Sequence, residues 1–143
     1  MLIQKIMSQP VVTVTLDDTM SMVKDIFENA KFHHLLVVEK EILYGVISDR
    51  DLLKAISPFI GTYQEKAHDK FTLNKKVHQI MTRKPITLTP TDNVHEAISL
   101  FNKHSISCIP ILNEKGGPVG IVSWRDIFQT IEVNYNKKLN KAK

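Results

Sequence analysis

One cysteine among 143 residues can close no intramolecular disulfide, and without a C-x-x-C pair it offers neither a zinc nor a redox motif, so nothing in the chain requires an oxidising compartment. Long apolar runs are absent too. No stretch reaches the ~18 consecutive apolar residues of a membrane-spanning helix, and Met1-Leu2-Ile3-Gln4-Lys5-Ile6-Met7 lacks the charged region, long apolar region and small-residue cleavage site of a secretory signal. A cytoplasmic protein without a membrane partner is expected. The means of catalysis are equally scarce: the six histidines form no H-x-x-x-H and no Cys/His zinc spacing, no Walker A sequence provides for nucleotide hydrolysis, and Cys108 lies in an apolar run where a thiol is usually inert packing. Neither a metal site nor an enzyme is predicted.

What is present looks ordinary in bulk. Apolar residues at 43% and charged residues at 24% match an average soluble globular protein, and the length suits two small repeats sharing a core better than two independent domains. A net charge of +4 is slight and its bases are scattered, which makes nucleic acid an unlikely partner. The densest basic stretch, Lys137, Lys138, Lys141 and Lys143 in a tail over 132–143, lacks the interleaved aromatics of a single-strand-binding surface. It reads as a frayed, solvated end.

The chain repeats itself. Ile6-Met7-Ser8 aligns with Ile80-Met81-Thr82, Thr13-Val14-Thr15 with Thr87-Leu88-Thr89, and Asp18 with Asp92. Val23, Ile26 and Phe27 fall on Ala97, Leu100 and Phe101, the run Leu35–Val38 on Ile109–Leu112, and Gly45-Val46-Ile47-Ser48-Asp49-Arg50-Asp51-Leu52 on Gly120-Ile121-Val122-Ser123-Trp124-Arg125-Asp126-Ile127. Each copy predicts a short strand (11–15; 86–89), then polar helix-opening residues at Asp18-Thr19 or Thr91-Asp92-Asn93. A helix follows, with one buried stripe through Met20, Val23, Ile26, Phe27 and Ala30, or Val94, Ala97, Ile98 and Phe101. Two apolar runs joined by turn chemistry then predict a hairpin, and a second helix begins at Asp49-Arg50-Asp51 or Trp124-Arg125-Asp126. The pattern is β-α-β-β-α, twice, over 1–56 and 77–131, with a polar linker at 57–76.

Two copies of I-M-[ST], an [VI]-T strand start and G-h-h-S-x-R-D, in register and together spanning residues 1 to about 131, resemble the cystathionine-β-synthase-type (CBS) domain pair, or Bateman module, of the stand-alone bacterial kind. The resemblance implies an α/β (α+β) fold in which two β-α-β-β-α repeats pack sheet to sheet with pseudo-two-fold symmetry around two related clefts, and frequently a homodimer. It also implies a regulatory ligand containing adenosine, such as AMP, ADP, ATP or S-adenosylmethionine, with no obligatory cofactor.

A physical reading of the residues runs beside it. Ser48 and Ser123 stand where a strand ends, with Asp51 and Asp126 in the first turn of the next helix, so hydroxyl and carboxylate face the same way. A carboxylate accepts two hydrogen bonds from a vicinal diol, and a hydroxyl holds a phosphate oxygen; the resemblance gives the aspartates the ribose and the serines the phosphate. The same residue types also serve as plain helix caps. Arg50 and Arg125 either neutralise phosphate or are solvated. His33-His34 sits where relatives carry a basic pair that reaches phosphate, or else is a surface pair; titrating near pH ~6.5, it predicts binding that strengthens as pH falls. In the second copy Ser107-Cys108 replaces it, which suggests unequal clefts. Pro110 stands at the place of Leu36, a difference expected to change little. Thr13 and Thr87, at the strand starts, and Cys108 with Pro110 complete the candidate ligand set. Trp124 either stacks on a base or packs.

The leading expectation is a sensor that signals to a separate, unknown effector protein. A ligand-free scaffold that dimerises and binds protein is the alternative.

Overall fold

Two units share the chain, and the division does not follow the sequence repeat. A computed structural model describes residues 1–142; one unit is Val12–Pro85, and the other joins Met1–Val11 to the chain from Ile86 onward.

In the continuous unit, the aligned aspartate sets the first turn. Asp18 Oδ2 accepts the Thr15 N–H at 2.7 Å, folding the chain back after β1 (Thr13–Val14), and Thr19 Oγ1 then accepts the Met22 N–H at 3.4 Å to cap α1 (Met20–Asn29). Met20 and Val23 on the stripe of α1 are fully buried and Ile26 and Phe27 partly so. They pack on the hairpin of β2 (His34–Glu39) and β3 (Ile42–Ser48), whose Leu35, Val37 and Ile47 are the centre of the core. Each such side chain contributes about 1.5–3 kcal/mol through burial. Lys40 and Glu41 make the hairpin turn with positive φ, 48° and 66°, a conformation that favours glycine or asparagine and that Lys-Glu does not advertise. From β3 the chain enters α2 (Asp49–Ala55), then the polar segment with α3 (Ala67–Phe71) and a 3-10 turn at Thr72–Asn74. The unit closes with α4 (Val77–Ile80) and β4 (Thr82–Arg83), which gives the sheet order β1-β2-β3-β4, parallel only between the first two.

The other unit repeats this plan. Asp92 Oδ2 accepts from Thr89 N at 2.7 Å and Asn93 Oδ1 from His95 N at 2.9 Å, opening α5 (Val94–Lys103). Then come β5 (Cys108–Leu112), β6 (Pro118–Ser123) and α6 (Trp124–Lys141). The strand predicted over 86–89 shrinks to one parallel bridge between Leu88 and Ile111. The cause is Pro110: Leu36 donates its N–H to Val12 O at 3.1 Å, whereas proline at the same place has no N–H to give. The Leu36/Pro110 difference therefore matters more than expected. At the opposite edge Ser8 bridges Ile121 as β4 pairs with β3.

The leading segments are thus exchanged. Ile80-Met81-Thr82 completes the sheet of the first repeat and Ile6-Met7-Ser8 that of the second, while Ile3 and Val77, both fully buried, sit in the corresponding cores. The glycines of the repeated motif are what each methionine packs against. A Cβ on Gly45 would stand 2.6 Å from Met81 Sδ, and one on Gly120 2.5 Å from Met7 Sδ.

Of the tail 132–143, expected to fray, the residues to Lys141 instead prolong α6 as an exposed helix; Lys143 lies outside the described residues. No helix among the described residues is long and apolar enough to cross a membrane.

The segment 57–76 is latched by one carboxylate. Asp69, only 4% exposed, accepts Ser57 Oγ at 2.7 Å and the Lys66 N–H at 2.8 Å, and His68 Nε2 stands 3.5 Å away. The Ser57 hydroxyl foremost, with the Lys66 amide, holds its pKa below the usual carboxylate value. A depressed carboxyl stabilises the fold above its ordinary pKa and ceases to do so as pH falls through its folded one. Asp69→Asn is expected to lower the melting midpoint by several degrees at pH 7, with the gap to wild type closing below pH ~4; melts across pH check this.

Candidate functional site

Strand alternation gathers the candidates on one face of each sheet. In β2 and β3, Leu35, Val37 and Ile47 point to the helices, so His34, Leu36, Val46 and Ser48 point to the opposite face. Thr13, paired with Leu36, joins them. His34 lies directly across from Ser48, and Asp49 donates its N–H to His33 O at 3.0 Å, so both histidines border the Ser48–Asp51 turn.

That turn is a reciprocal capping box. Asp51 N donates to Ser48 Oγ at 3.1 Å, and Asp51 Oδ2 accepts from Ser48 N at 2.9 Å. The capping reading and the ligand reading are therefore compatible rather than exclusive. Capping uses one carboxylate oxygen and one hydroxyl lone pair, leaving Asp51 Oδ1 and the Ser48 O–H proton to meet a ligand. Oδ1 accepts no hydrogen bond among the described residues. Arg50, exposed beside them, makes no salt bridge among those residues.

The histidines are not an equivalent basic pair. His33, exposed, has Nδ1 2.7 Å from Asp49 Oδ2. His34 is partly buried, and that desolvation, partly offset by Asp49, keeps its pKa below 6.5. It is chiefly neutral at pH 7, an imidazole with one donor and one acceptor nitrogen. The expectation that the pair gains phosphate affinity near pH ~6.5 is corrected for His34: its protonation requires a more acidic solution.

In the other unit Thr87, Cys108, Pro110 and Ser123 occupy the matching face, and Cys108 stands across from Ser123 as His34 does from Ser48. Cys108 is buried. Here the serine does not cap: Ser123 Oγ donates to Asp126 Oδ2 at 3.2 Å, beside the Ser123 N–H at 2.8 Å. Ser8 Oγ, absent from the candidate ligand set, donates to Asp126 Oδ1 at 2.9 Å. Only the exchange of leading segments brings Ser8 there. Arg125 is exposed, and Trp124 meets Phe101 edge to face with ring centres 6.4 Å apart while remaining 53% exposed. Among the described residues no group of three or more His, Cys, Asp and Glu side chains is placed to hold a metal ion.

Comparison with known proteins follows the same outline. The family model described as the CBS domain matches residues 3–58 and 77–133. A CBS domain-containing protein of Dictyostelium discoideum is 32% identical over 132 residues, covering 91% of this chain and 90% of that protein. The CBS domain pair of protein MJ0100, solved in complex with 5'-methylthioadenosine and S-adenosyl-L-methionine, superposes with a TM-score of 0.76 at 26% identity, over 94% of this chain and 98% of that one. A homoserine O-acetyltransferase of Methanococcus vannielii is 25% identical over 133 residues, which are 92% of this chain but 25% of the enzyme.

Proposed function

Because the chain belongs to the CBS domain family and carries two copies of the domain, we propose that it is a regulatory module whose Ser-x-x-Asp turns bind an adenosine-containing ligand: AMP, ADP, ATP or S-adenosylmethionine. The observation that carries this reading is the Ser48–Asp51 turn, where a carboxylate oxygen and a hydroxyl proton stay unused after capping, across from His34. Asp51 Oδ1 takes the ribose diol. Ser48 Oγ, His34 and Arg50 take phosphate or, in a sulfonium ligand, the polar end, while Thr13 borders them from β1. The ligands of the MJ0100 pair support an adenosine core, since both present the same diol.

Binding shifts the module toward the state with higher ligand affinity, by no more than that difference in affinity. The change passes to a separate effector. The match to one quarter of an acetyltransferase supports a module that acts on catalytic parts it does not itself contain.

The test is a set of thermal melts with AMP, ADP, ATP, S-adenosylmethionine and GMP. A ligand at 100 times its dissociation constant adds about 2.7 kcal/mol at one site, a rise of several degrees for a chain of this size. That rise should appear with an adenosine compound, not with GMP, and should shrink in Asp51→Ala, which leaves only the Asp126 turn. No rise with any of them at millimolar concentration would overturn the proposal.

One feature favours the second reading, a dimerising scaffold without ligand. Trp124, Phe128, Ile131 and Tyr135 are each more than half exposed and follow one another at four-, three- and four-residue steps along α6, which makes an apolar stripe suited to a second copy. A homodimer that persists in Asp51→Ala while no ligand shifts the melt would support it.

A further inference from the structure

The two Ser-x-x-Asp turns are alike in sequence and unlike in wiring. Asp51 gives Oδ2 to the Ser48 N–H and keeps Oδ1 unclaimed among the described residues. At Asp126, Oδ2 takes the Ser123 N–H and hydroxyl, and Oδ1 takes the Ser8 hydroxyl at 2.9 Å. Ser8 is firmly placed for this. Its N–H donates to Ile121 O at 2.8 Å and its carbonyl accepts from Ile121 N at 3.2 Å, so both backbone groups are fixed to β6. Thr82, the aligned residue, pairs with Val46 at the edge of the first sheet, and its hydroxyl makes no hydrogen bond to Asp51 among the described residues.

We infer that Ser8 is an internal competitor for the ligand diol at Asp126, a specificity-determining residue that makes the Asp51 turn the one filled first. This rests on the adenosine reading proposed above. A carboxylate offers about four acceptor positions and a vicinal diol uses two, and at Asp126 the Ser8 hydroxyl and the Ser123 N–H and hydroxyl already take three. The diol must therefore displace the serine proton to water. A hydrogen bond to a charged acceptor in an exposed setting is modest, so the effect on affinity is about three- to tenfold. The competing residue reaches Asp126 along the N-terminal segment, far from it in sequence, so occupancy of this turn also loosens the hold of Ser8 side chain on α6 without disturbing its backbone pairing.

Calorimetric titration of the full chain with AMP and with S-adenosylmethionine tests this, using Asp51→Ala to leave only the Asp126 turn. Adding Ser8→Ala to Asp51→Ala should tighten binding about three- to tenfold, or make an undetectable site measurable, while Ser8→Ala alone leaves the tighter site of the wild type unchanged. Ser8→Val, which keeps a strand-compatible side chain and both backbone bonds, should give the same gain and guards against a folding defect in the alanine variant. Unchanged or weaker binding in both double variants, with the wild type still binding, overturns the competitor role and leaves the adenosine reading intact. Absence of binding in the wild type and every variant overturns both.

Discussion

Gly45→Ala is expected to lower the melting midpoint by about 4–10 °C, the result of about 2–3 kcal/mol of overpacking in a chain of this length, and Gly120→Ala by clearly less. Both positions look identical in the repeat. The difference lies in what the new methyl group meets. On Gly45 it would stand 2.7 Å from the Thr82 carbonyl oxygen as well as 2.6 Å from Met81 Sδ, whereas on Gly120 all three nearest atoms belong to the Met7 side chain, at 2.5, 2.8 and 3.1 Å. A thioether chain can rotate away because it is unbranched. A backbone carbonyl in β4 moves only if the strand moves. Shortening the methionine separates the two cases: Met7→Ala should relieve most of the Gly120→Ala loss, and Met81→Ala only part of the Gly45→Ala loss. Thermal or urea unfolding of the two double-mutant cycles reads the coupling directly. Equal losses at the two glycines would contradict the account.

The second large effect is expected from Ile3→Ala, about 2–5 kcal/mol, and its location is more informative than its size. Ile3 is fully buried among Val94, Ala97, Ile109, Ile111, Val122 and Ile127, and its N–H donates to Asp92 O at 2.8 Å. The residue lies at the start of the chain, yet the damage should fall near its end. Hydrogen exchange should quicken in β5, β6 and α6 and stay near wild type in β2 and β3, because sub-global stability follows the packed unit rather than sequence proximity. Loss of protection confined to residues 12–85 would refute the assignment of Ile3 to the other core.

Much of this architecture is written locally and was readable there. Three- and four-residue apolar spacing gives α1 and α5 with Val23 and Ala97 fully buried, and the turn aspartates Asp18 and Asp92 mark the helix starts within a residue of Thr19 and Asn93, the observed caps. The exchange of leading segments was not readable, for a definite reason. Both copies carry I-M-[ST] and both carry the glycine it packs on, so either pairing satisfies the sequence. Local rules place the hairpin turn at Lys40-Glu41 but not its positive φ, which it adopts without glycine.

The candidate site shows the same division. Ser48, Asp51, Ser123 and Asp126 follow from a repeated motif at the end of a strand. Their inequality does not, because it depends on which distant residue arrives at each carboxylate. The shift in His34 likewise depends on tertiary burial, which no single-residue reference value contains.

The exchanged segments also set an order of events during synthesis. Residues 1–11 leave the ribosome before Val12–Pro85, but the core that Ile3 completes needs Val122 and Ile127, which emerge after that unit. The core of Val12–Pro85 is built from that unit's own residues, so it can fold while translation continues. The N-terminal segment must wait, its apolar side chains unburied, and its capture closes a long loop at an entropic cost that grows only slowly with loop length. A nascent chain stalled before β6 would therefore hold one finished unit and an exposed, adhesive leader, making this interval the one in which a chaperone has something to bind.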